Sequence, residues 1–192
     1  MKLIKFIILI LIVSKFALSA GNAMFGLRWG MSPKKISSIG IKLNKGGINN
    51  NIHVYHCDSL PNNFINYKRY TLYFEQDSLL VYIRMESIRI SEDIYGKKGK
   101  EYFSNLMILL KQKYSLQDSV CYSGRKEYKE PDQFYQCLAA DSCGKWIANF
   151  NGENEFIKLQ LLGISAGTGY ITLSAGANPE FGNALKKSNR KK

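Results

Sequence analysis

Apolar and polar positions divide this chain into one continuous apolar run near the N-terminus and a longer part in which two periodicities take turns. Phe6 to Val13 is uninterrupted apolar sequence, preceded by Lys2 and Lys5 and broken by Ser14-Lys15. After it, Met24 to Met31 reads as a short strand or extended segment closed by Gly30. Ser32-Pro33 then predicts a helix start, because a serine oxygen can accept from the orphan N–H groups and proline suits the first turn. The helix runs from Pro33 to about Ile39, with Ile36 and Ile39 one turn apart and Gly40 as its stop.

Asn44 to Asn51 is polar and glycine-containing and predicts a loop. Ile52 to Cys57 has strand composition. Tyr70 to Phe74, a turn at Gln76-Asp77-Ser78 and Leu79 to Met85 predict a hairpin. Asp93-Ile94-Tyr95-Gly96 leads into the strongest helical pattern, about Lys98 to Tyr114. Tyr102, Leu106, Leu109, Leu110 and Tyr114 form its apolar stripe, which predicts core rather than an interaction surface. Ser119 to Cys143 is a polar, cysteine-bearing region with a helical turn at Pro131-Asp132. Strands follow at Lys145–Phe150, Phe156–Leu162 and Tyr170–Ser174, with turns at Asn151-Gly152 and over Gly163 to Gly169. Helices set among runs of hairpins predict an α+β fold: antiparallel β-hairpins or a sheet packed with one long and one short helix.

The first apolar run changes the compartment. A short positive region, an apolar segment of this length and the small residues Ala17, Ser19 and Ala20 read as a cleavable secretory signal, with cleavage before Ala20 favoured. A spanning helix needs about 20 apolar residues, and Lys15 interrupts too early for that. No cysteine stands near the cleavage region, so no lipid-modified N-terminus is expected. Residues 1–19 are therefore read as signal, 20–184 as a single domain and 185–192 as a basic flexible tail, in a periplasmic or secreted protein.

Net charge is +12, which invites a nucleic-acid reading. Three of those charges, Lys2, Lys5 and Lys15, lie in the signal, and five more, Lys186, Lys187, Arg190, Lys191 and Lys192, lie in the tail. The body keeps only about +4, whereas a nucleic-acid reader concentrates charge on its fold. No nucleic-acid partner is expected; the tail suits weak contact with an anionic envelope surface.

Cys57, Cys121, Cys137 and Cys143 all follow the signal, and an even count in an oxidising compartment predicts two disulfides. Cys137–Cys143 together with Cys57–Cys121 is the favoured pairing of the three connectivities.

The remaining motifs test poorly as chemistry. Gly163-Ile164-Ser165-Ala166-Gly167 matches the G-x-S-x-G nucleophile elbow, which needs a helix after the serine and a histidine later in the chain. Tyr170 to Leu173 reads instead as a strand, and His53 and His56 lie far upstream. His53-x-x-His56-Cys57 carries metal-capable groups, but strand residues three apart point to opposite faces. Gly96-Lys97-Lys98-Gly99 lacks the spacing of a phosphate loop. The acids Glu75, Asp77, Glu86, Glu92, Asp93, Asp132, Asp141, Glu153 and Glu155 are scattered and predict surface and turn positions. No cofactor, metal or catalytic residue is expected. Tyr67, Tyr70, Tyr73, Tyr82, Phe134 and Tyr135 are suited either to a half-buried sheet or to a protein interface.

Phe25-Gly26-x-x-Trp29-Gly30-Met31-Ser32-Pro33, Asp93-x-Tyr95-Gly96, Phe134-Tyr135-Gln136-Cys137 and Cys143-Gly144-x-Trp146, with Leu159-x-Leu161-x-Gly163 and Gly169-Tyr170-Ile171-x-Leu173, span most of the chain after the signal. The set resembles small exported bacterial proteins of uncharacterised function that share an FGxxWGMS opening and a FYQC…CGxW block. The opening alone is also similar to the turn-to-helix start of small envelope proteins of the β-lactamase-inhibitor and outer-membrane-assembly-lipoprotein type. The resemblance implies no activity or catalytic residue. Export, size, disulfide potential and tyrosine-rich strands together lead to the expectation of a non-catalytic binding protein, an inhibitor or immunity-type protein whose partner is another protein. The alternatives are an envelope accessory protein using the basic tail and, less favoured, a small hydrolase.

Overall fold

The computed structural model describes residues 21–49, 51–63, 66–75, 79–124, 127–140 and 142–178. The expected signal, the basic tail and the Gln76-Asp77-Ser78 turn lie outside the described residues.

Alternating apolar positions pair into eight antiparallel strands: β1 (Asn44–Asn49), β2 (Ile52–Cys57), β3 (Tyr67–Phe74), β4 (Leu80–Ser87), β5 (Ser115–Tyr122), β6 (Lys145–Asn151), β7 (Glu155–Ser165) and β8 (Thr168–Ala177). They form one sheet in the order β1-β2-β3-β4-β8-β7-β6-β5. Among the described residues three α-helices accompany it: α1 (Pro33–Ser38), α2 (Lys97–Lys111) and α3 (Phe134–Ala139). The expectation of antiparallel hairpins packed with helices therefore holds, but the described residues contain two short helices rather than one.

The order conceals a tandem arrangement. A helix followed by a four-stranded antiparallel meander occurs twice, α1 with β1–β4 and α2 with β5–β8, and the two fourth strands pair side by side. The segment before each helix bonds to the start of its own fourth strand. Gly30 N–H donates to Leu80 O and Leu80 N–H to Met31 O, both at 3.0 Å; Ile90 and Gly169 exchange the equivalent pair at 2.8 and 3.0 Å. The helix α3 is inserted between β5 and β6 of the second half.

α1 starts as the sequence predicts, with Ser32 Oγ accepting from Lys35 N–H at 3.3 Å and Pro33 in the first turn. Being short, it covers little of the sheet, and the segment before it fills the gap. Phe25, Leu27 and Trp29 are buried, and Phe25 meets Tyr70 of β3 edge-on at 5.2 Å. Met24 to Met31 is accordingly a 3-10 turn (Met24–Gly26) and a buried extended stretch rather than a strand. On α2 the buried stripe is Gly99, Phe103, Leu106 and Leu110, while Leu109, expected in the core, is exposed.

α3 is set against the sheet by close approach. Gly163 of β7 lies under the Tyr135 carbonyl and the Ala139 amide, Gly169 of β8 under the Tyr135 ring, Gly99 against the Tyr135 hydroxyl and Gly96 against the Phe134 ring. A Cβ at any of these would overlap its neighbour. The Tyr135 hydroxyl donates to Asp93 Oδ2 at 2.8 Å, and Asp93 also accepts from Gly99 N–H at 2.9 Å and Lys98 N–H at 3.1 Å. One buried carboxylate thus caps α2 and ties it to α3.

Two segments differ from the sequence expectation. Asn44–Asn49, expected as loop, is an edge strand with a bulge between Lys45 and Gly47. Ser115–Tyr122, expected in part as polar connection, is the other edge, and its first seven residues are exposed. Edge pairing needs only backbone groups, so neither strand carries the alternation by which strands are recognised.

Replacing Gly163 by Ala forces a methyl into backbone and should lower stability by about 2 kcal/mol or more, read as a lower urea midpoint at unchanged m. Burial alone would raise the Asp93 pKa, but the Gly99 amide, the Tyr135 hydroxyl and the Lys98 and Lys97 amides outweigh it and hold the carboxyl below its ordinary value. Its contribution is then present above about pH 4 and lost as pH falls through the lower folded value. Asp93→Asn should cost about 3 kcal/mol and Tyr135→Phe about 1.5 kcal/mol at pH 7, with the Asp93→Asn deficit shrinking toward pH 2 in urea titrations.

Candidate functional site

One face of the sheet carries the core and the helices. Registers place Tyr70, Leu72, Ile83, Met85, Leu173, Ala175, Leu159 and Phe150 there, all buried. By alternation the intervening residues form the opposite face, which no described helix covers.

Three rows cross this open face. The first runs Val54, Tyr73, Tyr82, Gly176, Phe156 through β2, β3, β4, β8 and β7. Tyr73 and Tyr82 meet edge-on at 5.3 Å, and Tyr82 lies 6.3 Å from Phe156. Gly176 makes the row continuous, because its missing side chain lets the Phe156 ring lie across β8. Phe156 remains 41% exposed, which is high for a phenylalanine in the middle of a sheet. The second row is polar: His56, Thr71, Arg84, Ser174, Lys158, Asn149 and Asp118. The third holds Arg69, Glu86, Thr172, Gln160, Ile147 and Val120.

Within these rows Arg69 Nε donates to Glu86 Oε2 at 3.0 Å, and the Arg84 guanidinium stands 3.8 Å from Glu86 Oε1. Arg84 Nε is buried and has no hydrogen-bond partner among the described residues. Lys145, two residues before Ile147 on the same face, joins Arg69, Arg84 and Lys158 against Glu86 and Asp118, so basic side chains outnumber acidic ones there.

Of the aromatics singled out in the sequence, only Tyr73 and Tyr82 reach this face. Tyr70, Phe134 and Tyr135 are buried, and Tyr67 packs on the core. His53 pairs in register with the core-face residue Phe74 and His56 with open-face Thr71, whose hydroxyl is 3.1 Å from His56 Nδ1. The two rings diverge, and among the described residues no group of three His, Cys, Asp or Glu could hold a metal. Ser165 ends β7, Ala166-Gly167 turns the hairpin, and β8 follows where a nucleophile elbow needs a helix. Both histidines lie on β2, with three strands between it and β7.

Two of the scattered acids share a cavity of about 300 Å³ with Asn22, Lys113, Tyr114 and Asn154: Glu153 and Glu155. Glu155 is buried, and burial raises its pKa, opposed by the Met24 amide, the Tyr114 hydroxyl, Lys113 and, less strongly, Trp29. Oε2 accepts from Met24 N–H and Oε1 from the Tyr114 hydroxyl, both at 2.8 Å; the Trp29 indole N–H points toward the same carboxylate but meets no acceptor at full hydrogen-bond geometry among the described residues. With both oxygens engaged, Glu155 fastens the N-terminal segment to the second half of the sheet.

The cysteine expectation is half right. Cys137 and Cys143 are disulfide-bonded, with Cα atoms 5.0 Å apart. Cys57 and Cys121 are both free, the first buried and the second exposed, and the expected Cys57–Cys121 bond is corrected. They sit on β2 and β5 with five strands between them. Six spacings of about 4.8 Å put them roughly 29 Å apart, against the 4.4–6.8 Å a disulfide allows.

Among family models, curated proteins and solved structures, none matches this chain. Sequence reasoning did not single out Arg69, Arg84, Phe156, Lys158 or Gly176 for this face. Strand alternation alone assigns each to one of two faces, and only the register shows that they adjoin.

Burial pushes the Cys57 thiol up to about 12, with Asp58 adding to the effect. Intact-mass analysis with maleimide at pH 7 should therefore show one label, at Cys121, in the native protein. A second, at Cys57, should require denaturation, and the last two should require reduction.

Proposed function

We propose that this is an exported, non-catalytic binding protein of inhibitor or immunity type that holds another protein against the open face of its sheet. The carrying observation is the Tyr73–Tyr82–Phe156 row, a set of partly exposed aromatics backed by a rigid sheet, with Arg84 in the adjoining row and Arg69 one row further. Tyrosine and arginine supply much of the energy at protein interfaces, because their large surfaces lose little entropy and keep a polar tip for bonding. Isolated tyrosines on a sheet need no such explanation; a continuous row with a glycine opening space for its third ring favours an interface.

Size supports the same reading. Seven strand spacings of about 4.8 Å and a strand length of about 20 Å give a face of roughly 700 Å². A stable interface uses about 800 Å² from each partner. The excess of basic side chains favours a partner with an acidic surface, and the field would speed encounter more than it would tighten the complex. The predicted signal, the disulfide and the short similarity of the opening to β-lactamase-inhibitor-type envelope proteins support an extracytoplasmic site of action.

A photo-crosslinking residue at position 82, in protein exported by its own host, should give one discrete adduct. The same residue at Asn105, exposed on α2, should give none, and Arg84→Glu should abolish the first adduct. With the captured partner purified, Tyr82→Ala and Phe156→Ala should each weaken binding about 30-fold, equivalent to about 2 kcal/mol. Equal crosslinking at 82 and 105 would remove the open face from consideration.

A further inference from the structure

A second cavity lies on the other side of the sheet, where the start of α2, the segment after β5 and α3 meet. It measures about 370 Å³, within the range of about 300–1,000 Å³ typical of ligand pockets. Tyr95, Tyr128 and Phe134 give it ring surfaces, Lys100 and Lys129 positive charge, and Ser123 and Gly124 polar groups.

Lys100 is held in place rather than waving in solvent. Its Nζ donates to the Tyr95 carbonyl at 3.1 Å and sits 4.2 Å from the Phe134 ring centroid and 5.8 Å from that of Trp146. An ammonium has three donors, so this arrangement fixes the charge and leaves two N–H groups for a ligand. The acid on the wall, Glu130, forms a capping box with Gln133, its backbone N–H donating to Gln133 Oε1 at 3.3 Å. No carboxylate is paired with either lysine among the described ion pairs.

The wall residues Gly124 and Tyr128 are attached to the disulfide. Gly124 N–H donates to Cys137 Sγ at 3.2 Å, and Cys143 Sγ lies 3.7 Å from the Tyr128 carbonyl oxygen. Cys137 itself lines the cavity. Both attachments rely on the positions that the bond gives the two sulfurs.

We propose that this cavity binds the uronic-acid unit of an acidic saccharide, and that the Cys137–Cys143 disulfide keeps it assembled. The sugar carboxylate meets Lys100 and Lys129, its apolar ring face lies against Tyr95 or Tyr128, and its hydroxyls reach Ser123 and the Gly124 backbone. A sugar acid suits the mixture better than a flat aromatic acid, since the cavity opens to water and offers tyrosines and polar groups rather than an enclosed aliphatic slot. The site is independent of the open face and of any protein bound there.

Isothermal titration of the oxidised protein with digalacturonic acid at low ionic strength tests it, with Trp146 fluorescence as a second readout. Saturable binding is expected, weakened about tenfold or more by Lys129→Glu and by Lys100→Gln and unchanged by Lys111→Glu. Thermal melts confirm that the variants fold; Lys129 is exposed and carries the test if Lys100→Gln does not. Reduction and alkylation should weaken binding several-fold, and full affinity after reduction would overturn the role given to the disulfide. The site is overturned by absence of binding, by equal binding of neutral lactose, by phenylacetate or inorganic phosphate binding in place of the sugar acid, or by unaltered binding in both lysine variants.

Discussion

The second half of the molecule depends on how Tyr135 is seated. Its backbone rests on Gly163, its ring on Gly169, and its hydroxyl passes Gly99 to reach Asp93. A buried carboxylate is costly unless its lone pairs are filled, and here two helix amides and a phenol fill them. The same three bonds that make Asp93 tolerable also set the start of α2, the position of α3 and the distance between both helices and the β7–β8 hairpin. Removing any one of the four glycines that give Tyr135 and Phe134 room would push α3 off the sheet before the carboxylate could be reached.

That seat explains two motifs that resemble catalytic signatures in sequence. Gly163 and Gly167 in the G-x-S-x-G match serve, respectively, the approach of α3 and a positive φ of 63° in the hairpin turn. Gly96 and Gly99, which bracket two lysines, accommodate Phe134 and Tyr135. Spacing alone cannot tell a glycine that admits a phosphate or an oxyanion from one that admits a tyrosine, because both need a missing Cβ. What distinguishes them is the element that follows, and after Gly167 that element is a strand.

Much of the fold was legible where local chemistry decides it. Ser32-Pro33 starts a helix, the 3.6-residue pattern gives α2 to within a few residues, and the hairpins β3–β4, β6–β7 and β7–β8 follow from alternation. Long-range facts were not legible. The pairing of β4 with β8, which joins two helix-plus-meander halves into one sheet, leaves no local mark. Consequently the same reading that found Cys137–Cys143, six residues apart in one turn, also joined Cys57 to Cys121 across the full width of the sheet. The edge strands escaped for a related reason: β5 buries almost nothing, so it carries no pattern.

The two faces of the sheet obey one constraint with opposite results. With a period of two, every residue buried under a helix places its neighbours on the other face, so the choice of core fixes which side chains lie opposite without fixing their identity. A face with no role beyond solvation is best served by short polar and charged residues. Thr71, Thr172 and Ser174 fit that description, shielded by longer neighbours. Tyr73, Tyr82 and Phe156 do not, and Gly176 runs against strand propensity at the one place where a side chain would block the third ring. The Phe156 ring covers the Gly176 backbone and so offsets part of what a strand glycine costs, yet it leaves 41% of the phenylalanine exposed. Arg84, two residues beyond Tyr82 on β4, adds a buried Nε with no hydrogen-bond partner among the described residues, so the aromatic row and the one polar atom left unsatisfied beside it belong to the same part of the face.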